Sequence, residues 1–338
     1  MGQGTRVGEC LTAALHSLFD ARPRLLMLGE DLADPYGGAF GISRGLSTKF
    51  PDRVLSTPIS EAAITGMAGG LALMGDEVIV EIMFGDFITL AFDPIVNFIS
   101  KSVTMYGRTL NMPVIIRCPS GGNRGYGPTH SQNLQKHFIG VPNLSLHELS
   151  PMHPVEPVLT RILDRGRPAV FFEDKVLYTQ KPCGQHEDDR LFEFSQLGGE
   201  AGWAQARFTD EPPDWLLIAP GGLVRRALAA MHRAMLEQEI TSSLLAPSQL
   251  FPLDFDPVLP AIAEARNILI LDDGPAGGGW PVLAADALHR LLWKSLDAPV
   301  SVLQPDCVVV PAARHLEQQV LLQDSTIYAA IASGGMRG

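Results

Sequence analysis

Strand-like apolar runs alternate with helical patterns along the whole chain, and this alternation restricts the fold more than any other feature. "RLLMLGED" (Arg24–Asp31) reads as a buried strand ending in acids, Glu61–Met74 as a helix, and "EVIVEIMF" (Glu77–Phe84) as a strand. Asp93-Pro94 reads as an N-cap followed by proline at the first helical position, opening a helix that runs to about Tyr106. "MPVIIRC" is a further strand, a glycine-rich loop follows over Ser120–Pro128, and "RPAVFFED" (Arg167–Asp174) closes this half with another strand. Past Pro213 the style repeats, with strand "WLLIAPGG", a helix from about Leu223 to Gln238, strand "NILILDD", a helix from about Pro281 to Trp293 and strand "APVSVL". Strands separated by helices pair mostly in parallel, with helices on both faces of the sheet. The expected fold class is α/β, with two doubly wound domains. The pattern fades into polar, Pro-containing sequence after about Lys181, so the expected division is a first domain over 1–185, a linker over 186–210 and a second domain over 211–338. No short-period repeat is visible, which excludes a solenoid.

Composition narrows the function. At 338 residues, with 46% hydrophobic and 19% charged residues, the chain can bury a large core in about two domains. Its net charge of −11 argues against nucleic acid as a partner, because phosphate binding needs clustered Lys and Arg. Cys10, Cys118, Cys183 and Cys307 lie far apart, with no CxxC, which fits reduced thiols better than a disulfide framework or a zinc site. No apolar run reaches the ~18 residues of a membrane span. The Met-Gly start is followed by Arg6 instead of a myristoylation pattern, and no charged-then-apolar signal pattern is present. The expectation is a soluble, cytoplasmic protein without membrane or metal-binding segments of its own.

The run "TPISEAAITGMAGGLALMG" (Thr57–Gly75) combines one acid with many small residues. Gly66, Gly69 and Gly70 inside a helix cost about 3 kcal/mol against alanine at about 1 kcal/mol each. Close approach of a backbone or a ligand is what offsets such a cost. Packing alone explains the glycines. It does not explain Glu61, which favours the helix dipole but also stands at a strand-to-helix turn, where α/β sheets bind ligands. A second candidate is the loop "PSGGNRGYGPTHSQ" (Pro119–Gln132), which holds His130. Its glycines make the backbone mobile unless something orders it. No acid partner for His130 is identifiable from spacing, so no triad is read here. "GISRG" (Gly41–Gly45) fits GxSxG, but the loop-like "PYGGAF" precedes it where a nucleophile elbow needs a strand. No P-loop, HExxH or dinucleotide GxGxxG is present.

Several runs together resemble the beta subunit of the thiamine-diphosphate-dependent decarboxylase component of 2-oxo acid dehydrogenase complexes, of pyruvate and branched-chain type, in the transketolase-like superfamily. They are "GEDLADPYGGAFGISRGLSTKF", "TPISEAAITGMAGGLALMG", "EIMFGDFITLAFDPIVNFISK", "HSQN" and "FFEDKVLY", with "PDCVVVPAARHLE" near the end. The resemblance is dense through Tyr178 and thinner after it. It implies a pyrimidine-binding thiamine-diphosphate domain followed by a transketolase C-terminal-like domain. It also assigns roles. Glu61 would bond the aminopyrimidine ring of the cofactor, Phe84 or Phe87 would pack on that ring, with Phe84 slightly favoured, and His130 would face the substrate and the incoming lipoyl group.

The same resemblance implies what this chain lacks. Members of the superfamily hold the diphosphate through Mg²⁺ and a GDG motif with a downstream Asn, and no GDG occurs here. The expected partner is therefore an alpha subunit carrying that motif and the Mg²⁺, in an alpha₂beta₂ heterotetramer, with a lipoyl acyltransferase or another acyl carrier as acceptor. Two departures stand out. Pro94 replaces a common Gln, and Arg165 and Arg167 fall near the family's structural potassium site, so that ion is not expected. The competing readings are a transketolase-like carbon–carbon transferase half-subunit and a non-catalytic scaffolding homologue. Retention of Glu61 and His130 argues against the second.

Overall fold

The computed structural model describes residues 5–200, 202–296 and 298–334, so residues 1–4 and 335–338 of the two expected domains lie outside the described residues. In chain order the strands are β1 (Leu25–Gly29), β2 (Val54–Ser56), β3 (Glu77–Glu81), β4 (Val114–Ser120), β5 (Ser145–Glu148), β6 (Ala169–Asp174), β7 (Glu193–Leu197), β8 (Trp203–Arg207), β9 (Trp215–Ile218), β10 (Ser242–Pro247), β11 (Gln249–Phe251), β12 (Asn267–Leu271) and β13 (Ser301–Leu303). They form two sheets, ordered β11-β5-β6-β4-β3-β1-β2 and β13-β12-β9-β10-β8-β7. The first is parallel from β5 to β2, in register pairs such as Ile79↔Ile115 and Ile115↔Ala169. The second is parallel from β13 to β10.

Burial follows from this topology. Every residue of β4 is buried, as a parallel strand covered on both faces requires. Helices Val7–Ala21 and Val155–Asp164 pack together on one face of the first sheet, where Leu11, Leu15, Phe19, Leu159 and Ile162 meet Leu25 and Ile115. Helix Leu223–Gln238 covers one face of the second sheet with helix Asp324–Ala332. A third apolar cluster joins the halves, running from Val80 and Ile116 through Trp203 and Phe255 to Trp280. Among the described residues no helix is long and apolar enough to cross a membrane.

Three features differ from the sequence reading. The segment 186–210 is not a bare linker, because β7 and β8 within it form an antiparallel hairpin, and β8 pairs with β10. As the edge strand, β7 is only partly covered, so its polar residues leave no apolar run to read. Asp93 is not an N-cap. Its φ of −60° and ψ of −54° are already helical and it makes no cap bond, while its carboxylate accepts from Asn97 Nδ2 at 2.7 Å. Pro94, without an N–H, instead stands where the ladder widens to a π-type turn over Pro94–Ile99, and the helical path ends at Ser102, short of Tyr106. Finally, β11 from the second half closes the first sheet antiparallel to β5.

Candidate active site

The carboxyl ends of β1, β3, β4 and β6 converge on one edge of the first sheet, the edge where parallel α/β sheets form sites. Helix Glu61–Leu73 starts there, packed on β3 and on the short helical turn Gly85–Ala91. Glu61 is 5% exposed, and among the described residues no hydrogen bond reaches its carboxylate. Its neighbour is Glu30, just past β1, which is also buried and whose Oε1 has no partner. Burial, and then the charge of Glu61, raise the Glu30 pKa above the usual carboxylate value.

The three helix glycines do different things. A Cβ on Gly69 would stand 2.5 Å from Phe98 Cε1, so this glycine permits close packing inside the chain. Gly66 and Gly70 have nothing within 4 Å and face outward with exposed Ala62, Ala63, Met67 and Met74. Internal packing therefore accounts for one of the three.

Phe84, Phe87 and His130 come together. The ring of His130 stands edge-on to Phe84 at 4.7 Å between centroids and edge-on to Phe87 at 5.3 Å. All three are half-buried. His130 Nδ1 lies 3.0 Å from Thr129 Oγ1. Glu61 lies near Glu30 on the same edge of the sheet. The sequence reading did not anticipate the rest of the cluster, Phe40, Tyr126 and Tyr178. The Phe40 ring lies 5.9 Å from Phe84, 6.5 Å from Tyr126 and 5.3 Å from Tyr178. Phe40 has φ 58° and ψ 14°, a left-handed conformation that aromatic residues rarely adopt and that tends to occur at functional sites. The one signal in the sequence is its place after Gly37-Gly38 in the matching run.

A buried ionic network holds this loop. Arg117 on β4 donates from Nε and Nη2 to Glu173 on β6 at 2.6 and 2.9 Å, and from Nη1 to Glu81 on β3 at 2.7 Å. Tyr178 Oη donates to Glu173 at 2.5 Å, and the Ala39 N–H donates to Glu81 Oε1 at 2.6 Å. Burial alone would lower the Arg117 pKa, but the charges of Glu173 and Glu81 raise it, so the guanidinium stays charged. The Glu81 pKa is pushed up by burial, with Arg117 opposing.

The loop after β4, expected to be mobile by its glycines, is tied down by the second half of the chain. The carboxylate of Glu317, on helix Arg314–Val320, accepts from the Asn123 and Gly125 N–H groups at 2.9 Å each. Gln132 Nε2 donates to Asp86 at 2.8 Å, and Arg124 Nη2 donates to the Lys175 carbonyl at 2.6 Å. Ser43 of the GxSxG match is fully buried in a turn with no strand before it, so it presents no nucleophile. A cavity of about 460 Å³ lies elsewhere, between Phe192 and helix Leu223–Gln238, and one of about 320 Å³ borders the loop at Ser131 and Gln132. Glu61, Phe84, Phe87 and His130 line neither.

Comparison with known proteins agrees with this geometry. Residues 4–181 match the family model "Transketolase, pyrimidine binding domain", and residues 204–327 match "Transketolase, C-terminal domain". A pyruvate dehydrogenase E1 component subunit beta from Chaetosphaeridium globosum is 28% identical over 96% of this chain and 96% of its own length. A mitochondrial 2-oxoisovalerate dehydrogenase subunit beta 2 from Arabidopsis thaliana is 32% identical over 89% of this chain and 81% of its own. Among solved structures, a split-gene transketolase described as an inactive beta4 tetramer shares the fold with a TM-score of 0.73, at 17% identity over 98% of each chain. With both domain models matched in order and E1 beta relatives aligned over nearly its whole length, the chain belongs to the transketolase-like family of 2-oxo acid dehydrogenase E1 beta subunits.

Proposed function

We propose that this chain is the beta subunit of a heteromeric, thiamine-diphosphate-dependent 2-oxo acid dehydrogenase, active only with an alpha subunit. In this reading it decarboxylates a 2-oxo acid and passes the acyl group to a lipoyl group or another carrier. The observation that carries the proposal is Glu61, a largely buried acid at a helix start whose carboxylate has no hydrogen-bond donor among the described residues. That carboxylate is open to a protonated ring nitrogen, which would complete it with a charge-assisted hydrogen bond.

The surroundings fit a bound aminopyrimidine. Glu30 Oε1, Thr57 Oγ1 and Ser120 Oγ are buried without partners, and the Phe84 and Phe87 rings are half-buried. Glu61 would hold and share the proton of the ring nitrogen, with Glu30 beside it, whose pKa burial and the Glu61 charge raise. Phe84 and Phe87 would pack against the ring and exclude water. His130, with Nδ1 next to Thr129, has its other ring nitrogen free for proton donation to substrate and acceptor. When bound, the cofactor supplies the electron sink for decarboxylation.

Mg²⁺ and the diphosphate belong, in this proposal, to an alpha chain with a GDG motif, in an alpha₂beta₂ assembly. The outward face of helix Glu61–Leu73 supports a partner there: Met67 is 52% exposed, Leu73 39% and Met74, just past the helix, 77%, beside exposed Ala62 and Ala63. The free cysteines are consistent with the cytoplasm.

The test is cofactor binding. By calorimetry the chain alone is expected to bind thiamine diphosphate weakly or not at all, and binding should tighten on addition of the alpha chain. Tight binding by the isolated chain would overturn the half-site proposal. His130 has its own test. In the reconstituted complex His130→Ala should reduce acyl transfer to the carrier by about 10²-fold or more, while decarboxylation with an artificial electron acceptor falls much less. Equal losses in both assays, with weakened cofactor binding, would give His130 a structural role.

A further inference from the structure

Three buried polar atoms without a hydrogen-bond partner among the described residues line one cavity. They are Gln180 Oε1, His186 Nε2 and Arg225 Nε, and the cavity is the one of about 460 Å³ between Phe192 and helix Leu223–Gln238. The cavity of about 320 Å³ at Ser131 has one such atom, Ser131 Oγ, and one of about 190 Å³ between Val7 and Cys183 also has one, His153 Nδ1. Buried polar groups are nearly always paired, so three orphans around one space mark a place where something else supplies the bonds. The frame that holds them is fixed. Arg225 donates from Nη1 to Asp189 at 2.6 Å and from Nη2 to the Lys181 carbonyl at 2.8 Å, which leaves its Nε–H. The Gln180 N–H donates to the Leu177 carbonyl at 2.9 Å, and the Gln180 carbonyl accepts from the Val7 N–H at 2.8 Å. The His186 N–H donates to Asp189 at 3.1 Å. Much of the remaining lining is apolar, with Phe192 and Leu228 buried and Ala229 and Leu236 exposed. Both guanidiniums of the cavity are neutralised, Arg225 by Asp189 and Arg233 by Glu237, while Asp188 has no ion pair among the described residues.

We propose that this cavity binds an uncharged small molecule with an apolar body and a carboxamide end, whose carbonyl accepts from the Arg225 Nε–H and whose N–H donates to Gln180 Oε1. The volume is that of a small-molecule site, and a few polar groups set in an apolar lining are how such sites fix orientation. Arg225 Nε can only donate and Gln180 Oε1 can only accept, while His186 Nε2 takes either role with its tautomer. Water could serve all three atoms, but it gains nothing from Phe192 and Leu228. A ligand that makes the same bonds and covers those side chains gains the apolar contact as well. An anion finds no uncompensated guanidinium here and meets Asp188, Asp189 and Glu237 instead. The site is separate from Glu61, Phe84, Phe87 and His130, none of which lines it, and it does not depend on the decarboxylase reading. It is nonetheless joined to that region through the chain. Gln180 lies two residues after Tyr178, whose hydroxyl donates to Glu173 and whose ring lies 5.3 Å from Phe40, so a ligand held by Gln180 grips the segment that carries Tyr178.

The probe is benzamide, titrated into the full chain and followed by ligand-observed NMR. Saturable binding is expected with a Kd of about 1 mM or tighter, which a molecule of this size reaches in a formed pocket. Benzoate has the same shape but a charge and no N–H, and should bind at least about tenfold more weakly. Ala229→Trp, at an exposed helix position on the cavity, fills the space and should abolish binding. Gln180→Met keeps the volume, removes the acceptor and should weaken binding by about three- to tenfold, the worth of one hydrogen bond. Both variants should melt with the unaltered chain, and if one fails to fold the other decides. Thiamine diphosphate should leave benzamide binding unchanged. No saturation below about 10 mM would show that the cavity holds only solvent and would overturn the proposal. Benzoate binding as tightly as benzamide, undiminished binding in folded Ala229→Trp or Gln180→Met, or displacement of benzamide by thiamine diphosphate would overturn it equally.

Discussion

Replacing Glu61 by glutamine is expected to cut decarboxylation by the reconstituted complex by about 10²–10⁴-fold, the range for loss of a general acid–base group. The stability of the chain should hardly change. Glutamine has nearly the volume of glutamate, and the helix loses a favourable charge at its first turn worth about 0.3–1 kcal/mol. Against that loss, removing one charge from the Glu30–Glu61 pair relieves a repulsion between two buried carboxyls. The amide can still accept a hydrogen bond, but it cannot share a proton with a ring nitrogen. Activity and melting temperature should therefore part company. A variant that decarboxylates at the unaltered rate would remove Glu61 from the mechanism, and one that unfolds would give it a structural role.

Replacing Arg117 by methionine should have the largest effect on stability, a loss of about 3–5 kcal/mol. Arg117, Glu81 and Glu173 have essentially no solvent-exposed side-chain surface, and one guanidinium serves both carboxylates. Methionine fills much of the volume but leaves Glu81 and Glu173 facing each other across β4 with only the Ala39 N–H and the Tyr178 hydroxyl as donors. Burial already raises the Glu81 pKa, and without Arg117 the carboxylates must take up protons or admit water. The damage should reach the site, since Ala39 precedes Phe40 and the Tyr178 ring lies 5.3 Å from it. Urea denaturation measures the loss, and a change below about 1 kcal/mol would show that the network contributes little net stability.

The alternation of elements was legible because parallel strands covered on both faces are written as continuous apolar runs, as β4 and β12 are. Strand β5 was not. It reads Ser-Leu-His-Glu, and its polar residues are buried with His147 on Ser145 of the same strand at 3.0 Å and Glu148 accepting from Gln135 at 3.3 Å, the latter a partner that the folded chain brings in. The β7–β8 hairpin escaped notice because an edge strand needs no apolar face, and β11 because its partner lies about a hundred residues earlier. In the site, Glu61 was visible as the one acid ahead of a glycine-rich helix. Phe84, Phe87 and His130 followed from the family resemblance. Phe40, Arg124, Tyr126 and Lys175 could not be grouped, since three separate loops and the clamp from Glu317 bring them together.

The central claim is that Glu61 governs the proton chemistry of a cofactor shared between two chains. Hydrogen–deuterium exchange at the thiazolium carbon of thiamine diphosphate, measured in the reconstituted complex before substrate is added, tests it most directly. Exchange should be fast with the unaltered chain and slower with Glu61→Gln by about the same factor as decarboxylation. Exchange at the same rate in both complexes would contradict the claim.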